Sequence, residues 1–145
     1  MFKTILIGDD GSTEAGRAVQ AAFSLAKGLN ARLIVLGVLT QPSAESQAEG
    51  YGMDSEVRAK KMLEERFARL QASAKQEGLS LRTEIIEGEP EETIEARAEE
   101  ENVDLIVVGH RDITRVRRWL EGSTSETLVK KSKVSVLVVR DGDEQ

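Results

Sequence analysis

The sequence predicts an open α/β domain, a parallel sheet of five strands in the order 3-2-1-4-5 with helices on both faces. Three observations lead there. Short apolar, β-branched runs alternate with longer segments whose apolar residues recur at helical spacing, the pattern of βαβ units. Turn residues follow the first and fourth runs at once, Asp9-Asp10-Gly11-Ser12 and Gly109. A chain of 145 residues with no linker or internal repeat supports one core, a single domain over 1–140 with a frayed tail over 141–145.

Taken in order, Thr4–Gly8 (TILIG) reads as a buried strand. Ser12 stands as an N-cap with Glu14 in the favourable first turn. Ala18, Ala22, Leu25 and Leu29 then share one helical face, and Gly28 and Asn30 mark the end of that helix. Arg32–Leu39 (RLIVLGVL) is the second buried strand. Thr40–Asp54, with Pro42, Gly50 and Gly52, is a loop. Ala59, Leu63, Phe67, Leu70 and Ala74 trace a second helix that ends near Gly78. Leu81–Ile86 alternates apolar and polar residues, as an edge strand does. Gly88-Glu89-Pro90 turns the chain, with Pro90 suited to a first helical turn. Glu91–Glu101 is a charged helix with Ile94 and Ala98 inward, and Asp104–Val108 is the fourth strand. Ser123–Lys131 is a further helix with Leu128 and Val129 as its apolar contacts, and Val134–Val139 is the fifth strand.

Composition narrows the function. A net charge of −6 and a pI near 5.0 argue against general nucleic-acid binding, which rests on neutralising phosphates. The absence of cysteine excludes a disulfide framework and thiolate metal sites, and fits a reducing compartment. The start, MFKTILIG, has no signal-peptide core, and no apolar run is long enough to span a bilayer. The expectation is a cytoplasmic protein with no membrane and no nucleic-acid partner. One histidine and scattered carboxylates offer neither a metal site nor a catalytic constellation.

In an open sheet of this order, ligands bind beyond the carboxyl ends of the strands, where the order reverses between the first and fourth. The Asp9-Asp10-Gly11 and Gly109 turns would face each other there. Beyond Gly109 an arginine-rich loop leads to Gly122-Ser123-Thr124-Ser125-Glu126, in which Ser123 and Glu126 have capping-box spacing. A helix start presents unpaired N–H groups and the positive end of the helix dipole, a candidate anion site. Arg115, Arg117 and Arg118 are candidates to neutralise phosphate charge. Each feature also has a plain structural role. Ser123 caps its helix with or without a ligand, Asp10 ends a strand, and an arginine-rich loop is usually a solvated one. His110 reads as a loop residue, and Trp119-Leu120 as the contact that pins the loop.

Four stretches, in this order and over nearly the whole chain, resemble the universal stress protein family. They are Asp10-Gly11-Ser12, Gly88-Glu89-Pro90, Asn102-Val103-Asp104-Leu105-Ile106-Val107-Val108-Gly109, and Gly122-Ser123 with Val134–Val139. The resemblance implies a Rossmann-like, adenine nucleotide alpha hydrolase-like fold and a role in stress response. It implies ATP or a related adenine nucleotide as a regulatory ligand, with Mg²⁺ an optional companion. It places Gly8, Asp9 and Asp10 at adenine and ribose, Val38 against adenine, and Gly109 and Arg111 beside ribose and phosphates. Gly122, Ser123, Thr124 and Ser125 would donate to the phosphates. It also implies a homodimer paired through the last strand, with Val134, Val136, Leu137, Val138 and Val139.

The ATP-binding branch of that family carries a glycine, two residues, a second glycine, nine residues, then Gly-Ser or Gly-Thr. Gly109 and Gly122-Ser123 keep that spacing, but Asp112 stands at the middle glycine. Glycine there lets backbone approach phosphate, whereas aspartate brings a second negative charge. Two readings follow. One is a nucleotide-responsive dimer with at most slow hydrolysis, since no Walker-type lysine or water-positioning base is evident. The alternative is a module without nucleotide that acts on a regulatory protein partner. A third, an electron-transfer flavoprotein-like or other nucleotide-dependent α/β enzyme, has only the fold class behind it.

Overall fold

In a computed structural model, which describes residues 1–40, 52–110 and 133–140, the apolar runs become the strands of one parallel sheet. They are β1 (Thr4–Gly8), β2 (Arg32–Leu39), β3 (Leu81–Glu87), β4 (Leu105–Gly109) and β5 (Ser135–Val139). The order is β3-β2-β1-β4-β5, as the sequence predicts. Helices α1 (Thr13–Leu29), α2 (Gly52–Gln76) and α3 (Pro90–Glu100) make the described crossovers.

Handedness decides where the helices sit. The chain steps from β1 to β2 to β3 in one direction, so right-handed crossovers put α1 and α2 on the same face. It then returns past β2 and β1 to reach β4, which puts α3 on the other. The strand residues divide accordingly, with a period of two. Ile5, Ile7, Leu33, Val35, Leu105 and Val107 join Ala18, Ala22, Phe23, Leu63 and Phe67 in one cluster. Leu6, Ile34, Leu36, Ile106 and Val108 join Ile94 and Ala98 in the other. Each fully buried aliphatic side chain contributes about 1.5–3 kcal/mol relative to exposure.

Local chemistry sets the element ends. The Ala15 N–H donates to Ser12 Oγ at 3.1 Å, the expected N-cap of α1. Asn30 closes α1 in the left-handed conformation (φ 56°), its N–H returning to the Ala26 carbonyl. The buried face of α1 is wider than expected, adding Ala15, Val19, Phe23 and Ala26. Leu29 lies 46% exposed instead, because Ala26 and Ala31 fill the core beneath the last turn. Helix α2 begins at Gly52, inside the stretch expected as loop; Asp54 then sits in its first turn, where the helix dipole favours a carboxylate. The rest of that loop, the Ser123–Lys131 helix and the tail fall outside the described residues.

At the amino-terminal edge of the sheet, Asp104 ties β4 to β1. Its carboxylate accepts the Lys3 and Thr4 N–H groups at 2.8 and 3.0 Å, and its own N–H donates to the Thr4 carbonyl. These bonds, that from Lys3 foremost, hold its pKa below the ordinary carboxylate value. Among the described residues, no helix is long and apolar enough to cross a membrane.

Candidate functional site

The carboxyl ends of β1 and β4 are neighbours, since β1 pairs with β4 on one side and β2 on the other. Helix α1 leaves β1 on one face while β4 is reached through α3 on the other, so the strand order reverses between them. This is where open sheets of this kind bind ligands.

The turn after β1 is tightly determined. The Asp9 N–H extends the sheet by donating to the Leu36 carbonyl at 2.9 Å. The Asp9 carboxylate accepts the Gly11 N–H at 2.9 Å through Oδ1, and Arg66 Nε at 2.7 Å through Oδ2. Gly11 has φ +87°, which favours glycine, and a Cβ there would stand 3.1 Å from Met62 Cε of α2. Asp10 is exposed, and its Oδ1 accepts the Ser12 N–H at 2.9 Å. Two successive carboxylates thus each hold the amide two residues on, a motif that aspartate readily forms. One carboxylate is turned inward and the other outward.

Two glycines of the site have packing reasons. A Cβ on Gly109 would fall on the Glu14 carbonyl oxygen, so its absence lets the first turn of α1 lie against the end of β4. A Cβ on Gly8 would meet Ile94 Cδ1 at 3.0 Å and Val108 at 3.4 Å. Val38, near the end of β2, is half-buried and packs on the cluster that holds Leu36, Ile94 and Val108. The His110 N–H donates to the Val139 carbonyl and carries the β4–β5 pairing one step further.

The structure therefore brings Gly8, Asp9, Asp10 and Gly109 to the carboxyl ends of the adjoining strands β1 and β4, with Val38 at the same end of β2. The resemblance puts Asp9 beside Gly8 and Asp10 at the ligand; here its side chain has no exposed surface and is committed to Gly11 and Arg66. Arg66 was not among the expected site residues. It sits beside the inward Leu63 and Phe67 on α2, so the sequence marks it only as the flank of an apolar face. Arg111, Asp112, Arg115, Arg117, Arg118, Gly122, Ser123, Thr124 and Ser125 fall outside the described residues. Val136, Leu137, Val138 and Val139 form the edge strand β5, which Val134 precedes.

Chemically, the described part offers one polar and one apolar group at the carboxyl ends of the strands. Asp10 offers an exposed carboxylate that can accept from hydroxyl or amino groups, and Val38 adds an apolar surface.

The family model described as "Universal stress protein family" matches residues 1–140. Universal stress protein MJ0531 of Methanocaldococcus jannaschii is 32% identical over 142 residues, which span 97% of this chain and 83% of that protein. A crystal structure of a universal stress protein in complex with cAMP aligns with a TM-score of 0.72 and 29% identity, covering 95% of this chain and 97% of that one. The structure of hypothetical protein MJ0577 aligns with a TM-score of 0.82 and 26% identity, covering 99% of both chains.

Proposed function

Because this chain belongs to the universal stress protein family, we propose that it binds an adenine nucleotide in the crevice between β1 and β4 as a regulatory ligand. The observation that carries the reading is the Asp9–Ser12 turn, fixed at the reversal of strand order with the Asp10 carboxylate outward. The similar protein with cAMP bound supports the adenine class. Asp10 accepts from the ribose hydroxyls or the adenine amino group, and Val38 packs on the base. Gly8 and Gly109, whose missing Cβ atoms let α3 and α1 pack against the ends of β1 and β4, border the crevice with their backbone. Gly122, Ser123, Thr124 and Ser125 supply phosphate donors. Arg111, Arg115, Arg117 and Arg118 offset phosphate charge and the nearby Asp112, with Mg²⁺ where a triphosphate is bound. The protein works in the cytoplasm as a dimer paired through β5, and any hydrolysis is slow.

Calorimetric titration of nucleotide-stripped protein with ATP, with and without Mg²⁺, and with cAMP tests this. Micromolar binding is expected for at least one of them. No heat and no thermal shift at millimolar nucleotide would remove the reading. Asp112 favours the second reading, a family member that acts through protein surfaces alone. Asp112→Gly separates the two. Tighter ATP binding in the variant supports a working phosphate site, and continued silence supports the interaction module.

A further inference from the structure

Asp9 takes no direct part in the proposed function, yet among the described residues it is the one charged residue that is buried. Burying a charge carries a desolvation cost that the partner must offset. Closing the turn onto the Gly11 N–H needs only an acceptor, and neutral asparagine would supply one. The second oxygen goes to Arg66, which reaches in from the middle of α2. Its guanidinium also lies beside α1 at Gly16, where a Cβ would stand in ordinary contact with Arg66 Nη2, at 3.4 Å. From the same helix, Met62 closes over Gly11. One arginine thus ties α2 to the turn between β1 and α1.

We infer that Asp9 and Arg66 form a positioning pair, which holds the Asp9–Ser12 turn in the conformation that presents the Asp10 carboxylate to a nucleoside. The inference rests on the adenine-nucleotide reading and adds residues to it. The physical reason lies in Gly11. A glycine at positive φ is free to leave that conformation, and the affinity of a site falls in proportion to the fraction of time it is competent. Asp9 removes that freedom by holding the Gly11 amide, and Arg66 fixes the direction of Asp9.

The test compares the parent protein with the double variant Asp9→Leu with Arg66→Met, which leaves no buried charge unpaired. Each is titrated with ATP, cAMP, adenosine and tripolyphosphate, and its thermal midpoint is recorded. The expected result is a folded variant whose affinities for ATP and adenosine fall by the same factor, about tenfold, while tripolyphosphate binding is unchanged. A folded variant that binds ATP and adenosine within about twofold of the parent overturns the inference. So does a loss confined to ATP and tripolyphosphate, which would mean that Arg66 acts on phosphate. A parent that binds none of ATP, cAMP and adenosine removes the proposed function, and the inference with it. Should the variant fail to fold, the parent still answers. Binding and pairing favour each other reciprocally, so adenosine slows hydrogen exchange at the Arg66 Nε–H, and unchanged exchange overturns the pair's role.

Discussion

Gly109 and Asp104 stand at opposite ends of β4, and each does its work through backbone. At Gly109 the missing Cβ is what allows α1 to touch the strand. Gly109→Ala must drive a methyl group into the Glu14 backbone, with no flexible side chain to yield. It is expected to cost about 3 kcal/mol, as overpacking in a tight interior does, read from the midpoint of urea unfolding. Asp104 is sensitive to pH. Its folded pKa is lowered by the Lys3 and Thr4 amides, so its contribution is fully present above the unfolded value, about 4, and is lost as pH falls through the folded value. Asp104→Asn should therefore lower stability at neutral pH and reduce the loss of stability below about pH 4, measured by urea titrations at pH 3 to 7. A variant with the parent's acid profile would show that other carboxylates set it. Neither role was legible in the sequence. Gly109 reads as a strand end and Asp104 as its first residue, while the groups they meet lie about ninety or more positions away in the chain.

At the scale of elements, α3 is the informative case. Its buried residues are Ile94 and Ala98, one turn apart, which periodicity alone predicts. That is a small apolar face for a helix, and polar contacts supplement it. Arg97 reaches across to β3 and binds Glu84 through both Nε and Nη2, at 2.9 and 2.8 Å. Its Nη1 takes Glu100, and Nη2 also takes Glu101, which Arg82 of β3 holds as well. Glu84 chiefly, then Glu100, keeps the Arg97 guanidinium still more firmly protonated than usual. Bidentate geometry within a network makes this pairing worth more than a solitary surface pair. Arg97→Ala is expected to cost about 1 kcal/mol, with a smaller loss for Arg97→Lys, which cannot form the fork. Equal losses would mean that charge alone matters. In the sequence this helix reads only as charged, because the carboxylates that would pair could not be told from those left in water.

For the molecule as a whole, the two edges of the sheet differ in kind. The β3 edge carries Arg82, Glu84 and Glu87, charges of the sort that discourage edge-to-edge pairing. The β5 edge, Ser-Val-Leu-Val-Val, carries none, and Leu137 is 37% exposed on it. An uncharged edge is the one suited to pair with a second copy. The dimer proposed through β5 therefore predicts that Leu137→Lys yields monomer at micromolar concentration while the thermal midpoint of the folded chain changes little. Sedimentation velocity reads the outcome, and a Leu137→Lys variant that remains dimeric would place the contact elsewhere.

The strands, the strand–helix alternation and the Asp9–Ser12 turn were legible in the sequence alone. They follow from local periodicity and from the few residues that tolerate tight turns, information carried within about ten positions. The sequence also carried the family resemblance, from which the place expected of Asp10 at adenine and ribose followed. That Asp9 turns inward to Arg66, that Gly109 is a packing glycine against Glu14, and that Arg97 joins α3 to β3 became visible only in the folded chain. Each of these is a meeting of residues far apart in the chain, with partners chosen by the crossing of helix over sheet. A charged residue on the flank of an apolar face shows its spacing in the sequence, but not the group that will be waiting opposite.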